Sequence, residues 1–102
     1  MDKATAIKLS KKYLIKVKKN KIEFSEAWLF GSFAKGNNHE NSDIDIAIVL
    51  PKNDKTFEME VTLMTLRTGE ETIIEPHVFN KNEFELNSSI VYQILHSGSK
   101  IY

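Results

Sequence analysis

The sequence predicts a small domain of the α/β (α+β) class, a mixed sheet flanked by helices. Three observations lead there. Apolar residues recur at three- and four-residue spacing over a helix-length stretch near the N-terminus, they alternate almost perfectly over residues 43–50, and helix-like and strand-like segments follow one another as α-β-α-β-α-β-α. At 102 residues the chain can bury one modest core but not two, so a single domain spanning 1–102 is expected.

Over residues 3–19, Ala6, Ile7, Tyr13, Leu14 and Val17 form an apolar stripe that also takes in Ser10, and Asn20 is the expected stop. Residues 27–30 read as a short strand that breaks into a tight turn at Gly31. Ser32 is expected to cap a helical turn running through Lys35 and closed by Gly36. Asn37, Asn38 and Asn41 mark the next stretch as an exposed loop. In residues 43–50, Ile44, Ile46, Ile48 and Leu50 point one way and Asp43, Asp45, Ala47 and Val49 the other, until Pro51 ends the strand. Residues 57–67 read as a helix burying Val61, Leu63 and Met64 and ended by Gly69. Residues 73–79 form a third strand, whose Pro76 moves it toward an edge or a bulge. Asn87 or Ser88 caps a last helix that buries Ile90, Val91, Ile94 and Leu95 and stops near Gly98.

The formal net charge of zero hides a strong asymmetry. Residues 1–21 hold eight lysines against one acid, Asp2, while the remainder holds six Lys/Arg against thirteen acids. Lys8, Lys11, Lys12, Lys16, Lys18 and Lys19 read first as the solvated faces of a helix. The sharper alternative is a basic surface for an acidic partner, RNA or nucleotide phosphates. Only Tyr13 is interleaved with these lysines, so nucleic acid is the disfavoured partner. The absence of cysteine rules out disulfides and thiolate metal sites and fits a reducing compartment. No apolar run approaches a membrane span and no signal peptide is evident, so a cytoplasmic location without membrane contact is expected.

The chemistry is carried by Gly31-Ser32 and Ser42-Asp43-Ile44-Asp45 taken together. A Gly-Ser turn offers backbone N–H groups and a hydroxyl to phosphate oxygens. Ten residues later come two carboxylates, Asp43 and Asp45, on one face of a strand and about 7 Å apart at the backbone. Side chains of that length can converge on magnesium, which favours carboxylate and phosphate oxygens. The alternating isoleucines pin the register, because a one-residue slip would bury both acids.

With these motifs the sequence resembles the nucleotidyltransferase superfamily that includes DNA polymerase beta, and in particular the minimal nucleotidyltransferases that serve as antitoxins beside HEPN-domain proteins. Gly31-Ser32 matches the GS turn of that family and Ser42-Asp43-Ile44-Asp45 its acidic strand, and the resemblance spans essentially the whole chain. It implies a polymerase beta-like nucleotidyltransferase fold and transfer of a nucleoside monophosphate, AMP from ATP, to an acceptor hydroxyl with release of pyrophosphate. It further implies that Gly31 and Ser32 hold the β- and γ-phosphates, that Lys35, where the family often has arginine, screens the triphosphate, and that Asp43 and Asp45 hold two Mg2+ ions. The family's third carboxylate, commonly aspartate, would be Glu75, a ligand of the catalytic metal that helps to deprotonate the acceptor. His77, on the same open face, either touches the acceptor or a phosphate or is a hydrogen-bonded structural residue. Phe33 and Trp28 read as core rather than as base-stacking platforms, and no role is assigned to His39 or His96.

Larger relatives carry a second domain that grips the base or the acceptor, and only about 20 residues follow the third strand here. A half-open site completed by a partner, in a hetero-oligomer with a HEPN protein or in a homo-oligomer, is therefore expected. Two rival functions stand beside protein modification: a non-catalytic module that neutralises its partner by contact, and an antibiotic-modifying nucleotidyltransferase.

Overall fold

A computed structural model of the chain describes residues 1–52, 55–85 and 88–102. The stripe on the first segment folds as predicted into α1 (Lys3–Lys19), which buries Ala6, Ser10, Tyr13, Leu14 and Val17. Asp2 caps it, accepting from the Thr5 N–H at 2.8 Å, and three lysines in the last turn complement the helix dipole. Ser10 satisfies its buried hydroxyl within the helix, donating to the Ala6 carbonyl at 2.7 Å.

Next come β1 (Glu26–Phe30), the four-residue α2 (Ser32–Lys35), β2 (Ile44–Val49), α3 (Thr56–Thr65), a 3-10 turn (Gly69–Ile73) and β3 (Ile74–Phe79). The short α4 (Lys81–Glu85), α5 (Ser89–Ser97) and a two-residue β4 (Ser99–Lys100) complete the order. The sheet runs β3-β2-β1-β4, with β2 antiparallel to β1, parallel to β3, and β4 antiparallel to β1. β3 is thus an edge strand, which is how Pro76 can sit in its middle. Its outer side is covered by α3, where Glu60 accepts from the Val78 N–H at 3.1 Å.

The two faces of the sheet differ. One carries Ala27, Leu29, Ile44, Ile46, Ile48, Ile74 and Val78, all buried with residues of α1 and with Phe33 and Leu63 in the main core. Tyr13 ties this layer together, its buried hydroxyl donating to the Leu63 carbonyl at 2.5 Å. On the other face Phe30, Ala47 and Ile94 of α5 form a smaller cluster with Trp28, Phe79 and Phe84. That second cluster covers only part of its face, and the uncovered part holds Asp45, Glu75 and His77, all half-buried.

Several expectations are corrected. Gly31, not Ser32, is the N-cap of α2, and no side chain caps that helix. Within α3 only Leu63 is buried, while Val61 (46% exposed) and Met64 (37%) face outward, because a helix packed on an edge strand buries a narrow stripe. Gly69 opens the 3-10 turn instead of ending α3, with φ +58°. In α5 Val91 and Ile94 are buried, but Ile90 and Leu95 are exposed. Ser88 caps α5, its hydroxyl accepting from the Val91 N–H, and the rival cap Asn87 lies outside the described residues. The tail after α5 adds a strand that the sequence did not announce. Gly98 makes this possible, since a Cβ there would meet the Ile94 carbonyl and lie 2.9 Å from the Leu29 carbonyl oxygen.

Two of the lysines expected to be merely solvated are anchored. Lys16 reaches Glu71 at 2.5 Å, Thr68 Oγ1 at 2.9 Å and the Leu66 carbonyl at 3.1 Å. Lys18 lies over the rings of Phe24 and Tyr102, 4.0 and 4.8 Å from their centroids, and so fastens the C-terminal segment to α1. Lys8, Lys11, Lys12 and Lys19 are exposed as expected. No helix among the described residues is long and apolar enough to cross a membrane.

Candidate functional site

Strand register assembles the site. Phe30 pairs with Asp45, so β1 ends and the chain turns at Gly31 directly beside the Asp45 carboxylate. On the other side of β2, Asp45 pairs with Glu75 and Ala47 with His77. Paired residues on adjacent strands point to the same face, which brings two acids and a histidine together from positions 30 residues apart. Their ligand atoms all lie within 4.8 Å of one another.

Gly31 is required twice over. Its φ of +77° is a conformation that side-chain-bearing residues rarely adopt, and a Cβ there would run into Oδ2 of Asp45 and lie 3.2 Å from its Cγ. The tight turn and the acidic strand are therefore one packed unit. α2 starts at Ser32, with the Lys35 N–H donating to the Gly31 carbonyl at 3.1 Å, and the first N–H groups of such a helix have no partner within it.

Asp45 Oδ1 and His77 Nε2 are 3.1 Å apart. The His77 ring stands edge-on to Phe30, 5.0 Å between centroids. The hydrogen bond to Asp45 raises the His77 pKa above its ordinary 6.5. Burial works against this, and the charges of Asp45, Glu75 and Glu60 add to it.

Asp43 is placed differently from Asp45. It precedes the first residue of β2, is exposed, and is not among the three groups that converge. The loop before it is fixed by Ser42, whose N–H donates to the His39 carbonyl at 3.0 Å and whose hydroxyl accepts from the His39 N–H at 2.9 Å. His39, to which the sequence assigned no role, also accepts at Nδ1 from the Asn41 N–H. His96 stacks on Tyr92 far along the chain from the cluster. Ser32 is half-buried at the turn, whereas Lys35 is exposed and forms no ion pair among the described residues. Phe33 is core as expected, and Trp28 is half-buried with Nε1 donating to Glu26 at 3.0 Å.

The donor set suits a divalent cation: two carboxylates and one imidazole nitrogen converge on a half-open face, and Asp43 stands two residues from Asp45 on the same strand run. Histidine was the member least legible in the sequence, since its part depends on β3 lying parallel to β2 in this register.

Residues 12–102 match the model of the Polymerase beta, Nucleotidyltransferase family, and the chain belongs to that family. Among solved structures it is similar to a Sulfolobus solfataricus protein classed as a nucleotidyltransferase, with 24% identity over 82% of this chain and 75% of that one and a TM-score of 0.65. A toxin–antitoxin complex with AMP-PNP matches at 23% identity, 89% and 71% coverage and a TM-score of 0.58. The complex of a tri-AMPylated Shewanella oneidensis HEPN toxin with its MNT antitoxin matches at 20% identity, 94% and 71% coverage and a TM-score of 0.54. At these identities the likeness is one of fold. No curated protein matches the chain.

Proposed function

We propose that this chain transfers AMP from ATP to a hydroxyl group of a partner protein of HEPN type and so acts as its antitoxin. The observation that carries this reading is the pairing of Asp45 with Glu75 across β2 and β3, with Gly31 packed against the same carboxylate. Membership of the family and the likeness to complexes of an MNT antitoxin with a HEPN toxin, one of them AMPylated, support it. The neighbour with AMP-PNP supports a nucleoside triphosphate as substrate.

In this mechanism the Gly31 backbone and the Ser32 hydroxyl hold the β- and γ-phosphates, and Lys35 turns toward them from the end of α2. Asp43, Asp45 and Glu75 would hold the divalent metal, magnesium on the family's pattern. The metal supplies charge neutralisation at the triphosphate. Glu75 takes the proton of the acceptor hydroxyl as its oxygen bonds to the α-phosphorus. The bond from that phosphorus to the bridging oxygen breaks, and pyrophosphate leaves. Because the face bearing these residues is half-open, the partner covers it and brings its own hydroxyl.

The test is to incubate the full chain with each labelled NTP, Mg2+ and the product of the gene next to its own. Label from ATP should appear on the partner, and Asp45→Asn should abolish it. Glu75→Gln should slow single-turnover transfer more than it weakens ATP binding, whereas Glu75→Asp should keep partial activity. A partner silenced equally by wild type and Asp45→Asn, with no label transferred, would establish neutralisation by contact instead.

A further inference from the structure

The metal centre contains a nitrogen donor that the carboxylate pattern does not require. His77 Nε2 is 3.1 Å from Asp45 Oδ1, and both lie within 4.8 Å of a Glu75 oxygen. Adjacent ligands on an octahedral ion with bonds of about 2.1 Å are about 3.0 Å apart, so Asp45 and His77 already stand at the separation of neighbouring ligands. Phe30 holds the imidazole edge-on from one side, and the backbone of β3 fixes its origin beside Glu75, so the ring is positioned before any ion arrives.

We infer that His77 is a ligand of the ion together with Asp45 and Glu75, and that the site therefore favours a later first-row transition ion such as Co2+ over Mg2+. This rests on the reading above that the cluster is a metal centre, and departs from it in the ligand set and the ion. Magnesium binds oxygen donors and sheds its water reluctantly, so an imidazole gains it little. Divalent first-row ions accept imidazole with affinities that rise from manganese, the weakest and most oxygen-preferring, through cobalt to copper. A mixed set of two oxygens and one nitrogen thus separates the two classes of ion where three carboxylates would not.

The experiment uses the full chain without nucleotide, so that no base nitrogen contributes. Mn2+ is the spectroscopic probe, and calorimetric titrations with Mn2+, Co2+ and Mg2+ give affinities. Pulsed EPR of the Mn2+ complex should show coupling to an imidazole nitrogen. His77→Gln should remove that coupling, whereas His39→Gln and His96→Gln should keep it. His77→Gln should also weaken Co2+ by about tenfold or more, the least expected when even an outer-shell partner of a ligand is lost, while changing Mg2+ little. Circular dichroism of each variant checks that the fold is retained, and His77→Asn serves if the longer amide disturbs packing. Mn2+ bound by wild type without nitrogen coupling, but lost in Asp45→Asn, overturns the histidine ligand and leaves the metal centre standing. An affinity order unchanged in His77→Gln overturns the selectivity. Failure of wild type to bind any of the three ions overturns the metal centre as well.

Discussion

Gly31 and Asp45 exclude each other's freedom. The glycine has no side chain where the carboxylate packs, and it holds φ +77° and ψ −154°, a region essentially confined to glycine that would cost another residue about 1–3 kcal/mol. The motif argument gave Gly31 a role in admitting phosphate to the backbone, and the structure adds a steric one. Gly31→Ala should therefore lower stability by more than the backbone strain alone. Combining it with Asp45→Ala should remove the excess, which urea unfolding of the four proteins in a double-mutant cycle would measure. Equal costs in both backgrounds would show that the carboxylate moves aside freely.

His77 gives a second prediction at this scale. Its hydrogen bond to Asp45 holds its pKa above the ordinary 6.5 despite burial. A group with a raised folded pKa binds its proton more tightly in the native state, so its contribution is fully present below pH 6.5 and is lost as pH rises through the raised value. In metal-free protein, the stability difference between wild type and His77→Gln should thus be larger at pH 5.5 than at pH 8.5, by urea unfolding at the two values. These residue-level features were unequally legible. Asp45 and Gly31 announced themselves through spacing, Glu75 through the family resemblance, and His77 least of all. The separation of Asp43 from the cluster could not be read, because it depends on where the ladder begins.

At the scale of elements, α3 shows how a periodic pattern overstates burial. Val61, Leu63 and Met64 look equivalent as apolar residues, yet Leu63 alone is fully enclosed. Leu63→Ala should cost about 2–5 kcal/mol, and more if the Tyr13 hydroxyl loses its alignment on the Leu63 carbonyl. Val61→Lys should change stability by no more than about 0.5 kcal/mol. Thermal or urea denaturation of the two variants would check the contrast. The helix can expose so much because β3 needs only its outer edge covered, by Glu60 and by Arg67, which donates to the Thr72 and Ile74 carbonyls. In α5 the same logic leaves Tyr92, 52% exposed, free to stack on His96 one turn later.

Across the whole molecule, α1 is fastened at both ends of the sheet. Lys18 grips the C-terminal segment through two rings, and Lys16 grips the 3-10 turn before β3 through Glu71. Glu71 is buried, and burial works against its ionisation. The hydrogen bonds from Lys16 and from the Thr68 N–H, with the Lys16 charge, outweigh it and lower its pKa below the ordinary 4.5. A lowered pKa places the contribution above the unfolded value and removes it as pH falls through the folded one. Wild type should therefore lose stability relative to Glu71→Gln as pH is taken from 6 to 3, and the Gln variant should be the less stable at pH 6 by about 1–3 kcal/mol, as for loss of a buried charge-assisted contact. Unfolding curves across that range decide it.

By itself the sequence determined the longer helices, the first three strands, the register of β2 and the place of Gly31, Asp43 and Asp45, because all of these are local. Apolar period selects helix or strand, and a strand that slipped by one residue would bury Asp45 and expose four apolar side chains. It could not determine which strands are neighbours. Only the tertiary structure decided that β3 lies parallel to β2 with Glu75 opposite Asp45, that His77 leans onto that carboxylate, and that Gly98 frees the tail to add β4. These depend on contacts between residues distant in sequence, where the burial of one whole face against α1 and part of the other against α5 selects the arrangement. The uncovered remainder of the second face is where Asp45, Glu75 and His77 come together.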